Sequence, residues 1–268
     1  MRNLYVADLK RIVKSKLFLV SCILGAIFAI VNPLLNKVLF DLLDLGELLG
    51  GMINAKSLTF NAFLPGDNLG LIMPILIAII VCRDFSQGTV RNKIICGKSR
   101  MVVYFSHLFS AATVICAVML LHGLLTLGVS SCFFSYQETA FTFADLGYLM
   151  ASLAFEMILY FAIAAIVTLI SLIAKGTGTC ILLYLAVSFG LTIVGAIFQA
   201  AAMFLAPESA GYGIVEFINA CNIYTSTLIG AGVTYTAKQV FYILFAPIVL
   251  IVGTTVLGQY LFARKNLK

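Results

Sequence analysis

The sequence predicts an all-α membrane protein with six transmembrane helices and both termini in the cytoplasm. Three observations lead there. Of 268 residues, 62% are hydrophobic and only 10% are charged. A soluble domain is about 25% charged, and one of this length needs a polar skin that 28 charged side chains cannot provide. Long stretches without Asp, Glu, Lys or Arg recur along the chain and match the ~17–25 residues a spanning helix needs. Their interiors, such as Phe161–Ile173, are apolar all round, whereas barrel strands alternate in polarity.

The elements follow in order. Residues 1–16 read as an amphipathic helix lying in the interface. Tyr5, Leu9, Ile12 and Val13 share one face, and Lys10, Arg11 and Lys14 fall mostly elsewhere. Six spans follow, near 17–40, 67–85, 101–131, 146–173, 178–205 and 239–262, within a single transmembrane domain, 1–268. The second is short; Asp67 is placed to cap its start. The connection from Asp41 to Asp67 carries Gly50-Gly51 and Pro65-Gly66 and reads as a loop. The connection from Ala206 to Lys238 holds Ile214, Val215, Phe217 and Ile218, too apolar for a free loop. Short re-entrant or interfacial helices fit it better.

Charge sets the orientation. The N-terminal segment, residues 83–100, Lys175 and the tail together hold 14 basic residues and two acids, Asp8 and Asp84. The other side has only Lys37, Lys56 and Lys238 against eight acids. The positive-inside rule puts the basic side in the cytoplasm. The net charge of +6 is therefore a topology signal, and no nucleic-acid partner is expected. Of seven cysteines, Cys82 and Cys96 are assigned to the cytosolic side, and Cys132 and Cys221 to the outer side.

One polar connection stands out on the inside, RDFSQGTVRNKIICGKSR at Arg83–Arg100. It is not a phosphate-binding loop, because Asn92 stands where that motif requires its first glycine. Val90 and Ile94 are one helical turn apart, and Gly88-Thr89 marks a bend. A short docking helix for a cytosolic partner fits this pattern, and so does a solvated basic loop.

Within the spans, Glu156 is the one deep acid. A mid-membrane acid costs ~2.5–3.5 kcal/mol on insertion scales and should face protein or water. It reads either as a substrate- or cation-contacting group on a translocation path, or as a structural acid that is bonded to a neighbouring hydroxyl or protonated. Neither His107 nor His122 has metal-ligand spacing, so both are expected in packing or polar contacts. Pro33 and Pro74 fall inside spans, and the small residues of Ala162–Ala165 suit a close helix contact.

The run Asp84-Phe85-Ser86-Gln87-Gly88-Thr89, closing with Ser99-Arg100, resembles the acid-aromatic-x-x-Gly-Thr pattern of ABC-2-type ABC transporter permeases. That family more often has Glu where Asp84 stands. The layout is similar too: a basic amphipathic start, six spans, a long last outer segment and a short basic tail. The resemblance implies that residues 1–16 form a connector helix and that a coupling helix lies within 83–100. Asp84, Phe85, Gln87, Gly88, Thr89, Arg91 and Arg100 would then dock a separate ATPase. It implies a membrane subunit of an ATP-driven exporter in a bacterial cytoplasmic membrane. Two cytosolic ATPase subunits and a second permease chain, identical or not, would complete it. ATP and Mg would belong to the partner, with no cofactor or catalytic residue on this chain. The likeness to small permeases points to amphipathic peptides or hydrophobic antimicrobials as cargo. The alternative is an ion-coupled carrier or channel built around Glu156.

Overall fold

The computed structural model describes residues 2–42, 54–66, 68–137, 141–205, 209–224, 229 and 234–265. Among them all regular structure is helical. The helices are α1 (Arg2–Val13), α2 (Lys16–Leu42), α3 (Ala55–Phe63), α4 (Asn68–Ser86) and α5 (Thr89–Ile95). Then come α6 (Arg100–Phe133), α7 (Phe143–Ile173), α8 (Thr177–Met203), α9 (Ala210–Cys221) and α10 (Ala237–Arg264). Six of these, α2, α4, α6, α7, α8 and α10, are long and apolar enough to cross a membrane. The chain is a multi-pass membrane protein of the predicted class.

Where a helix ends near water, its free backbone groups need partners. Polar caps supply them. Ser15 serves two helices at once: its hydroxyl donates to Ile12 O at the end of α1 and accepts from Phe18 N at the start of α2. Asn54 with Ser57, Thr142 with Asp145 and Thr236 with Gln239 form reciprocal capping boxes for α3, α7 and α10. Ser99 and Ser209 cap α6 and α9. The predicted cap at Asp67 lies outside the described residues, as do Gly50 and Gly51.

At the centre of the bundle runs α4. Leu69, Met73, Ile77 and Val81 recur every fourth residue and are completely buried. They pack into α2, α6, α7 and α8. Ala162, Ala164 and Ala165 are also completely buried, which lets helices approach α7 closely. The periphery differs. Leu19, Ile23, Ile27 and Ile30 on α2, Ile193 and Ile197 on α8, and Val252 and Val256 on α10 are exposed, as surfaces solvated by lipid require. Pro247 in α10 joins Pro33 and Pro74 as an intrahelical proline.

Three features differ from the sequence reading. The connection after α2 is not simply a loop: α3 lies within it and buries Leu58, Phe60 and Phe63. Phe63 sits on Gly123, where an added Cβ would stand 2.0 Å from the ring. On α1 the inward face is Asp8 and Ile12, while Val13 is exposed. The charged pairs described below turn α1 this way. Cys82 is buried in the bundle, so its thiol is not open to the cytosol; Cys96 is exposed. All seven cysteines are free.

Candidate functional site

One face of the bundle gathers α1, the α4–α5–α6 connection and the end of α10. It is the face on which the basic residues collect, and side chains lock it together. Asp84, in the last turn of α4, is forked by the Arg11 guanidinium of α1 through both carboxylate oxygens. Asp8, one turn earlier on α1, accepts from Lys93 Nζ of α5 at 2.6 Å and from Ser106 Oγ of α6 at 2.6 Å. Lys93 Nζ also lies 3.3 Å from Nε2 of the fully buried His107. An ammonium only donates, so the imidazole accepts there, leaving Nδ1 3.5 Å from Asp84 Oδ2.

Four helices thus meet in one network, and its formal charges cancel: Asp8 and Asp84 against Arg11 and Lys93. Burial opposes ionisation of Asp8, but the hydrogen bonds from Lys93 and Ser106 and the Lys93 charge favour it. The Asp8 carboxyl is therefore held below its ordinary value. Asp8, Asp84 and His107 also bring one ligand atom each within 4.8 Å of the others, a spacing that a metal ion can use. The Lys93 ammonium sits against two of these residues, and Arg11 takes both oxygens of the third. Organic cations already satisfy both carboxylates, so the cluster is an ion network rather than a metal centre.

A second knot ties the same connection to the C-terminal end. Arg100 Nη1 donates to the carbonyls of Phe262, Ala263 and Lys265 at 2.7–2.9 Å. A cation on the final carbonyls of α10 also complements the helix dipole. Phe85 packs between His107 and Phe262, with ring centroids 5.3 and 5.8 Å away. The Lys265 ammonium lies 5.8 Å from the Phe85 ring and donates to Leu172 O at the end of α7. Burial lowers the pKa of Lys265.

The predicted docking residues therefore divide into two groups. Asp84, Phe85 and Arg100 turn inward and hold the segment in place. Gln87 and Arg91 face outward, with Ile95 beside them 71% exposed. Gly88 takes a left-handed conformation, φ +74°, which makes the bend, and Thr89 opens α5 directly after it. Val90 is buried and Ile94 half-buried, anchoring the short helix from within. The sequence reading missed Asp8, Arg11, Lys93 and Ser106 as members of the site, whereas the packing and polar contacts expected of His107 are formed here. A signal existed: Asp8 and Asp84 are the two acids of an otherwise basic side.

Glu156 lies elsewhere, near the middle of α7, ~20 Å along the helix from its start at 1.5 Å per residue. It is 1% exposed, and neither carboxyl oxygen has a hydrogen-bond partner. The bond to a neighbouring hydroxyl that one arm of the structural reading expects is not formed. One turn away, Tyr160 donates to Phe63 O of α3 at 2.8 Å. On the other side, Ser152 and Tyr235 share a hydrogen bond of 2.5 Å. His122 is a polar contact, its Nδ1 2.9 Å from Gly25 O.

No family model and no curated protein sequence matches the chain.

Proposed function

We propose that this chain is the membrane subunit of an ATP-driven exporter and that a separate cytosolic ATPase docks on residues 87–98. The reading rests on the resemblance of Asp84–Thr89 and Ser99-Arg100 to ABC-2-type permeases. The observation that carries it furthest is the division of labour in the connection. Its ends and inner face are fastened by Arg11–Asp84, Lys93–Asp8 and Arg100 on the α10 carbonyls. Its outer face leaves Gln87, Arg91 and Ile95 without such ties. A solvated loop needs no such fastening, whereas a lever that transmits force into a bundle does. ATP and Mg act on the partner, and a second permease chain completes the pathway for an amphipathic or hydrophobic molecule.

In this reading, movement of the docked partner pushes α5. The push passes through Lys93 and Asp8 to α1 and through Asp84 and Phe85 to α4, α6 and α10. Packed cores move between discrete arrangements, so a small displacement at α5 can tilt several spans together. The test is association with the ATPase. Ile95→Asp and Arg91→Glu should abolish pairing and transport without altering the melting temperature. Full pairing in both variants contradicts the docking assignment.

The two unbonded oxygens of Glu156 favour a second reading, an ion-coupled carrier that uses this carboxyl. The two readings part in reconstituted vesicles. Transport by the chain alone, driven by an ion gradient, supports the carrier. Transport only with the ATPase and ATP supports the exporter, in which Glu156 contacts cargo on the path.

A further inference from the structure

On the opposite face, a cavity of about 550 Å³ opens between the end of α8 and the inner side of α9. Its polar lining comes from Gln199, Tyr212, Glu216 and Asn219, with Met203 and Ala220 as apolar walls. Its size suits a small ligand or the end of a larger one, and among the described lining residues none is basic. Two observations favour a cationic occupant. The Oδ1 of Asn219 is buried with no hydrogen-bond partner, an acceptor without a donor. Glu216 Oε2 already accepts a primary ammonium, Lys238 Nζ, at 2.8 Å.

We propose that this cavity binds the ammonium or guanidinium end of an amphipathic molecule, with Glu216 and Asn219 as its acceptors and Lys238 as a resident competitor. The site stands apart from the ATPase reading and does not depend on it. Lys238 holds its place weakly. The two side chains are 59% and 32% exposed, and water screens exposed pairs strongly. When Lys238 swings aside it keeps the Tyr242 ring, 5.2 Å from its ammonium. A carboxylate has about four lone-pair sites, so a ligand can also bind beside Lys238. The apolar body of the ligand has a place too: the lining residue Met203 is 84% exposed, and Phe204, next to it in sequence, is exposed as well.

An ammonium of this kind has two sources, the lysines of an amphipathic peptide or the headgroup of an aminophospholipid. The chain contains no tryptophan, so Met203→Trp gives a single fluorophore at the cavity. In nanodiscs of phosphatidylglycerol, a lysine-bearing amphipathic peptide should shift the emission saturably, and its lysine-acetylated form should not. Glu216→Gln in that background should weaken binding about tenfold, the scale of one charged hydrogen bond. Lys238→Met should tighten it severalfold. If the source is lipid, discs of phosphatidylethanolamine should show the shifted emission without peptide, and Glu216→Gln should abolish it. Equal responses of the Glu216 and Lys238 variants and their parent in both arms overturn the proposal. Should the Glu216 variant fail to fold, an unchanged affinity in Lys238→Met overturns it alone.

Discussion

The Arg11 guanidinium grips both oxygens of Asp84 and so joins α1 to the last turn of α4, the second of the six long apolar helices. The two residues are 73 positions apart in sequence. Removing one member strands the other. Breaking a buried pair costs ~3–5 kcal/mol, and because the Arg11 side chain is 38% exposed the cost here falls at or below the low end. Arg11→Met should therefore lower stability clearly. Arg11→Met with Asp84→Leu should recover much of the loss, because no orphaned carboxylate remains. Thermal unfolding in detergent separates the two.

Asp8 gives a pH dependence with a definite sign. Its carboxyl is held below the ordinary 3.8, so its contribution is fully present above that value and is lost as pH falls through the depressed one. Hydrogen exchange of the α1 amides should be steady from pH ~5 to ~8 once corrected for intrinsic rates, and protection should fall only in stronger acid. Asp8→Asn should weaken protection at neutral pH and flatten that acid limb. Protection that falls between pH ~7 and ~5 in the wild type would assign the control to another group.

Gly88 should tolerate some side chains and not others. Nothing lies within 4 Å of a Cβ built there, so only the backbone at φ +74° objects. Gly88→Ala should cost ~1–2 kcal/mol in the local order of α5, and Gly88→Asn less, since Asn enters the left-handed region more readily. Gly88→Pro cannot adopt this φ at all. Proteolysis within 87–98, in the folded protein, reads the order of effect.

Gly123 is the contrasting case, where space decides. Phe63 fills the position of its missing side chain, so Gly123→Ala overpacks the contact between α3 and α6 by ~1–3 kcal/mol. Combining it with Phe63→Leu should restore part of the loss. Melting temperatures of the two single variants and the double variant test the coupling.

The six long helices were legible because lipid imposes a single demand on every residue of a span, and composition carries that demand. The bend at Gly88 and the buried Val90 on its short helix were legible for local reasons of the same kind. The α3 helix was hidden by the glycines and proline around it, although the Asn54–Ser57 capping box was readable as a helix start. The Asp8–Lys93–His107–Asp84 network was not legible, because its members come from four helices and meet only through packing. Asp84 and Phe85 were recognised as important from their pattern. Their inward direction is a matter of tertiary contacts with Arg11, His107 and Phe262 that spacing does not encode.

The central claim is that an ATPase sits on residues 87–98, and the chain supplies its own probe. Cys96 is exposed beside Ile95 on that surface, and Cys132 is exposed at the far end of α6. Membranes that contain the native complex can be treated with a short bifunctional maleimide after photolabelling with an azido-ATP. The account predicts that Cys96 crosslinks to a polypeptide carrying the nucleotide label, that Cys132 does not, and that Cys96→Ser removes the crosslink. Absence of any labelled partner at Cys96, together with transport that proceeds without ATP, would contradict it.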